Sequence, residues 1–202
     1  MYFDIGANVG KWALANIKSC DKIIAIEASP TTFKRLVNEC NHPNITPLNF
    51  AVCNNNNEDV VFYNASADTL STINKDWLTS TGSRFCNQPF TQIVCKSITI
   101  DKLIEVYGPS TLIKIDVEGG EYECVSSLTQ KVDLLCFEWA AELNTITVKC
   151  IDHLYSIGFR EFYIQSSDSY TFRPDTYYDI QTLKSKLNTM KPKIDWGMIW
   201  CK

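Results

Sequence analysis

No Cys-X-X-Cys pair, no run of lysines or arginines, no long apolar stretch and no Ser/His/Asp arrangement occurs in these 202 residues. Each absence excludes something. The nine cysteines are odd in number and scattered, so neither a disulfide frame nor a zinc site is expected. Several sit in apolar runs, as Cys136 does in Leu134-Leu135-Cys136-Phe137. They read as buried, reduced thiols, and a reducing, cytoplasmic compartment follows. A net charge of −4 without a basic patch speaks against a nucleic-acid partner, which needs positive surface to meet phosphates. No apolar run is long enough to span a bilayer, so no membrane partner is expected. Recognisable chemistry begins at residue 4, so no secretory leader is expected either. Of two histidines, His153 falls among the packing residues Ile151, Leu154 and Tyr155, and His42 precedes Pro43 in a loop. Neither reads as a catalytic base.

What remains is an ordinary globular composition, 45% apolar and 21% charged, sized for one domain over residues 1–202. Its first quarter alternates. Tyr2 to Ile5 reads as a strand, Lys11 to Lys18 as a helix and Ile23 to Ile26 as a buried strand. Ser29 caps a helix that Pro30 opens and that runs to about Asn41. Ile45 to Val52 reads as a third strand. This β-α-β-α-β order implies a parallel sheet with right-handed crossovers. Residues 64–98 form an irregular insertion, with strands expected at 59–63 and 92–98. Regular alternation then resumes: helix 101–107, strand 111–115, helix 119–128, strand 134–138, helix 146–157 ended by Gly158, and strand 159–164. A variable loop region covers about 165–192, with a helix at 178–187, before a last strand at 196–201.

The chemistry is concentrated at the tips of the first strands. Asp4-Ile5-Gly6-Ala7-Asn8-Val9-Gly10 closes the first strand and opens a helix. Glycines there allow a sharp turn and close approach of a ligand to backbone N–H groups. The dinucleotide fingerprint has three glycines, GxGxxG, whereas here Asn8 stands at the second. A pyrophosphate needs that position bare, and Asp4 would repel it. A carboxylate suits a cation instead, such as the ammonium of a methionine moiety. Glu27 ends the second strand, where an acidic side chain can accept hydrogen bonds from both ribose hydroxyls. Ala51-Val52, at the end of the third strand, places small apolar side chains where an adenine ring could lie, and Ala28 is a further cofactor-binding candidate.

These motifs resemble class I S-adenosylmethionine-dependent methyltransferases. Leu112-Ile113-Lys114-Ile115-Asp116-Val117-Glu118-Gly119-Gly120-Glu121 resembles the Lys-Ile-Asp-Val-Glu-Gly motif of the FkbM family, and Glu27-Ala28-Ser29-Pro30 and Ser97-Ile98-Thr99-Ile100-Asp101-Lys102-Leu103 resemble family segments too. The likeness covers roughly residues 2–140. It implies a Rossmann-like α/β fold with a mostly parallel seven-stranded sheet and helices on both faces. It also implies O-methylation of a hydroxyl on a sugar, glycan or small metabolite, with S-adenosyl-L-methionine as cofactor. Asp4, Gly6, Ala7, Asn8, Gly10, Glu27, Ala28, Ala51 and Asp116 would then face the cofactor.

Methyl transfer to a hydroxyl is helped by a general base. Asp116, Glu118 and Glu138 follow neighbouring strands and are the catalytic candidates. Clustered carboxylates raise one another's pKa, which suits that role. They could also hold a divalent cation, but a metal-independent site is the expectation and no metal ligand is assigned. Glu121 reads as charge complementing a helix N-terminus. Trp77, Arg84 and Phe85 in one irregular segment, and Tyr170, Phe172, Arg173, Tyr177 and Tyr178 in another, either shape the acceptor site or pack a lid. Two other functions compete: a non-catalytic nucleotide-binding module, and an NAD-type oxidoreductase, which Asn8 and Asp4 disfavour. An RNA-cap enzyme would want a Lys-Asp-Lys-Glu set that Lys11 and Asp116 alone do not make. Homo-oligomerisation is left open.

Overall fold

Short apolar runs become central strands when both of their faces are covered. The computed structural model describes all 202 residues. In chain order the elements are β1 (Tyr2–Ile5), α1 (Lys11–Asn16), β2 (Ile23–Ile26), α2 (Pro30–Glu39), β3 (Ile45–Leu48), β4 (Ala51–Val52) and β5 (Asp59–Ala65). They continue with α3 (Lys75–Thr79), β6 (Phe90–Ile98), α4 (Ile100–Tyr107), β7 (Leu112–Ile115), α5 (Glu121–Val125) and β8 (Leu135–Ala140). The chain closes with α6 (Asn144–Ser156), β9 (Phe162–Ser166), α7 (Ile180–Leu187) and β10 (Trp196–Cys201).

Seven strands form one sheet in the order β3-β2-β1-β7-β8-β10-β9. Strands β3 to β8 of that sheet run parallel, and β10 enters antiparallel between β8 and β9. Alternate residues feed two cores. Phe3, Ile5, Ile113, Ile115 and Phe137 pack with Leu103 of α4, Cys124 of α5, Leu154 of α6 and Leu183 of α7. Ile23, Ala25, Leu112 and Cys136 pack on the opposite face with Trp12 of α1 and Leu36 of α2. Helices therefore cover both faces, as expected for a Rossmann-like α/β fold. No helix is long and apolar enough to cross a membrane.

Three of the departures from the sequence reading have a visible cause. The expected strand 45–52 is two strands, because the Asn49 side chain donates to the carbonyls of Glu27 (2.8 Å) and Ala28 (3.0 Å) and turns the chain out of the main sheet. Ala51–Val52 then pairs with β6 in a second, three-stranded sheet of order β4-β6-β5. The insertion is thus partly a sheet, carrying α3 between its strands. The helix expected at 119–128 shortens to α5, because Gly119 is left-handed (φ 86°) and stays in the turn before it. The strand expected at 159–164 begins at Phe162 instead. Residues 154–159 close α6 first, with Gly158 N–H on the Tyr155 carbonyl and Phe159 N–H on that of Leu154.

The chain leaves β1 toward β2 and β3, then returns to place β7 on the other side of β1. A crevice opens at such a reversal, beyond the carboxyl ends of the two strands.

Candidate active site

The turn after β1 is built from left-handed residues, Gly6 (φ 76°), Asn8 (φ 48°) and Gly10 (φ 83°). Gly6 and Ala7 N–H groups both donate to the Ile26 carbonyl at 2.9 Å. A Cβ on Gly6 would lie 1.7 Å from the Asp116 carbonyl oxygen, so the loops after β1 and β7 meet only because that position is bare. Gly10 serves packing: a Cβ there would strike Cys40 and Leu36 at 2.5–2.9 Å, and it does not border the cavity.

Beyond these loops lies a cavity bordered by Gly6, Ala7, Asn8, Glu27, Ala28, Ala51 and Asp116 among others. Glu27, 8% exposed, is pinned at both oxygens: Asn8 N–H donates to Oε2 (3.0 Å) and Ser29 N–H to Oε1 (2.8 Å). Burial pushes its carboxyl up to about 7 against those two donors.

Asp4 behaves differently from the sequence expectation. It is fully buried, neither oxygen has a hydrogen bond, and it does not border the cavity. Lys114 stands in front of it. The two are register partners on β1 and β7, with Nζ 3.6 Å from Asp4 Oδ1 and 2.9 Å from Asp116 Oδ2. At the cavity wall, where Asp4 was expected to face the cofactor, Lys114, Asp116 and Asp168 stand instead. Burial alone would discharge Lys114, but the Asp116 and Asp4 carboxylates outweigh it and hold the ammonium charged. Burial pushes Asp4 up to about 6 even so.

A second opening adjoins the first and is bordered by Asp116, Glu118, Glu138, Asp168, Tyr170 and Trp196. Asp116, Glu118, Asp168 and Tyr170 belong to both. The oxygens of Asp116, Glu118 and Glu138 lie within 4.8 Å of one another. Burial first, then the Asp116 charge, pushes the Glu118 and Glu138 carboxyls well above the usual range. Glu118 holds a left-handed backbone (φ 56°), and its Oε2 accepts the Trp77 indole N–H at 2.9 Å. Glu121 stands in the first turn of α5, as expected, and is buried there; its Oε1 accepts the N–H groups of Val117 (3.3 Å) and Gly119 (3.2 Å) and closes the turn.

Of the aromatic and basic residues proposed for the acceptor, Tyr170 borders the openings, and Trp77 touches the site through Glu118. The others pack. Arg84 makes a paired contact with Glu142 (2.6 and 2.7 Å), and Phe85 meets Trp77 edge-on. Phe172 stacks on Tyr163, while Arg173 lies over Trp12 and Trp200 and donates to Asn16 Oδ1. The Tyr178 hydroxyl accepts the Ile164 N–H of β9, and Tyr177 packs beside the second core. His153 Nε2 contacts the Leu128 carbonyl (2.8 Å) and His42 Nδ1 accepts from Asn44 N–H, so both are structural. All nine cysteines are free. Lys114, Asp168 and Trp196 were not singled out from sequence as site residues. For Lys114 a signal existed: a lysine inside a buried strand needs a carboxylate beside it.

The Methyltransferase FkbM domain family matches residues 4–148. No curated protein matches the sequence. Among solved structures, fibrillarin from Aeropyrum pernix, in complex with S-adenosyl-L-methionine, is similar with a TM-score of 0.48 at 10% identity, over 100% of this chain and 65% of that one. This chain thus spans less than two thirds of that protein's length. Precorrin-6y C5,15-methyltransferase from Geobacter metallireducens gives 0.48 at 11% identity, over 100% and 78%. A TehB-like SAM-dependent methyltransferase from Corynebacterium glutamicum gives 0.44 at 8%, over 98% and 78%.

Proposed function

The chain belongs to the FkbM methyltransferase family, and from that premise we propose that it moves the methyl of S-adenosyl-L-methionine to a hydroxyl of a sugar, glycan or small metabolite. The observation that carries this reading is the shared wall. The cavity beyond the β1 turn and an acidic second opening meet at Asp116, Glu118, Asp168 and Tyr170. A transfer enzyme needs two binding spaces with one junction.

Glu27 accepts the ribose hydroxyls with the lone pairs its two backbone donors leave free. Ala28 and Ala51 take the adenine face. Lys114 and Asp168 hold the charged methionine end. When bound, the sulfonium supplies an electrophilic methyl group. Asp116 and Glu118 flank the junction, and Glu138 faces them from the acceptor side. This cluster orients the acceptor hydroxyl and takes up its proton. Burial and the Asp116 charge raise the Glu118 and Glu138 carboxyls, which makes them more basic than ordinary carboxylates. The cofactor is already activated, so no metal is required, and EDTA should leave turnover unchanged.

Thermal shift tests the first half. A ligand held only by the folded state adds about 2.7 kcal/mol at a hundredfold excess over its dissociation constant. S-adenosylhomocysteine should raise the melting temperature, NAD should not, and Glu27→Ala should abolish the response. An equal response to NAD would point to an oxidoreductase. Radiolabelled methyl transfer to a panel of neutral and sugar hydroxyl acceptors tests the second half. Cofactor binding without transfer to any oxygen acceptor would leave a binding module.

A further inference from the structure

The turn Asp116-Val117-Glu118-Gly119-Gly120 is gripped from the insertion. Asn74 Nδ2 donates to the Gly119 carbonyl at 2.9 Å. A Cβ on Gly119 would press on Asn74 and Trp77 at 3.2–3.3 Å, and one on Gly120 would meet Ile73 at 2.9 Å. Residues 73–77 therefore lie directly on two bare α-carbons. Trp77, 3% exposed and braced edge-on by Phe85, can only donate through its indole N–H. That donor reaches Glu118 Oε2 at 2.9 Å, across 41 positions of sequence. Glu118 Oε1 has no protein partner, and the residue borders both openings.

We infer that Trp77 is a positioning residue for methyl transfer: its indole N–H fixes one oxygen of Glu118 and leaves the other aimed at the junction of the two openings. The inference rests on the reading of that junction as the transfer point. A donor on a carboxylate also favours its charged form. Trp77 opposes the effects of burial and of Asp116 on Glu118. The other charged groups facing Glu118 are Lys114 from β7, Glu121 from α5, Glu138 from β8, Arg84 from the insertion and Asp168 from the loop after β9.

The direct test needs no acceptor. In a ¹⁵N spectrum the Trp77 indole signal, identified by its loss in Trp77→Phe, should move with pH as Glu118 titrates. In Glu118→Gln the signal should persist and stop moving. An indole signal that ignores pH, or that moves identically in Glu118→Gln, overturns the inference. Glu118→Gln leaves the tryptophan in place, so the answer stands even if Trp77→Phe folds poorly and the signal is assigned by other means. On an acceptor found in the transfer panel, Trp77→Phe should lower kcat roughly ten- to hundredfold, the worth of one hydrogen bond to a charged group. The acidic limb of its rate profile should move to higher pH, with KM for the cofactor unchanged. An unchanged profile also overturns it. Calorimetry with S-adenosylhomocysteine separates the two readings: wild-type protein that fails to bind it defeats the proposed function, whatever the indole does.

Discussion

Lys114 carries the largest single-residue burden. It is 4% exposed, with Asp4 behind it and Asp116 in front. Removing one member of a buried ion pair strands the other, at a cost of about 3–5 kcal/mol. Lys114→Met should lower the unfolding free energy by that amount in a denaturant titration; a loss under about 1 kcal/mol would show that Asp4 is simply protonated and content. Two buried carboxyls give the ligand-free protein a distinctive response to pH. Asp4 is raised to about 6 and Glu27 to about 7, chiefly by burial. Between roughly pH 4 and 7 the folded state keeps protons that the unfolded chain has released. Stability from these groups is full below that window and falls as pH rises through it. Glu142 works in reverse: burial opposes it, but Arg84 and backbone donors lower it to about 2. Its contribution is complete above the usual carboxylate range and is lost as pH falls toward 2. Guanidinium midpoints of the ligand-free protein should therefore be higher near about pH 5 than near about pH 7.5. The opposite order would mean Glu27 and Asp4 are charged when folded.

At the scale of elements, the meeting of the β1 and β7 loops is the sensitive joint. Gly6→Ala puts a methyl carbon on the Asp116 carbonyl in a left-handed backbone. The backbone strain alone is worth about 1–3 kcal/mol, before the clash. Chemical denaturation should show at least that loss, together with loss of S-adenosylhomocysteine binding; a variant of normal affinity would show that the two loops need not touch. Arg84→Ala should free the insertion from Glu142 and the Asp195 carbonyl, and faster proteolysis at residues 80–90 would report it. Much of this layer was legible in the sequence. Tyr2–Ile5, Ile23–Ile26 and Trp196–Cys201 are strands where apolar runs are bounded by turn residues. Ser29 caps α2 by accepting the Thr32 N–H, and Gly158 ends α6. The rest depended on partners far along the chain. Asn49 cuts a strand by bonding to residues 27 and 28, and β5 finds β6 across α3. Glu27, the glycine loop and the three carboxylates were legible because they sit at strand tips. The direction of Asp4 was not, because it depends on Lys114 lying in register on a strand 110 positions away.

For the whole molecule, charge acts at a distance. The net charge is −4, and four of the acidic residues stand at the rim of the second opening. Such a surface draws in a cationic ligand and is screened by salt. The association rate of S-adenosyl-L-methionine should fall as ionic strength rises from about 0.01 to about 0.15 M, where the screening length shrinks from about 30 to about 8 Å. Stopped-flow fluorescence measures it, and a salt-independent rate would mean the carboxylates are neutralised before the ligand arrives. The antiparallel β10 sets a different kind of limit. It lies between β8 and β9, so β9 touches the main sheet only through it. A fragment ending at residue 190 would keep the Phe162–Tyr178 bridge but would leave β9 with no strand linking it to β8. Until residues 196–201 are seated, β9 has no edge of the main sheet to join, so closure of the sheet waits on β10.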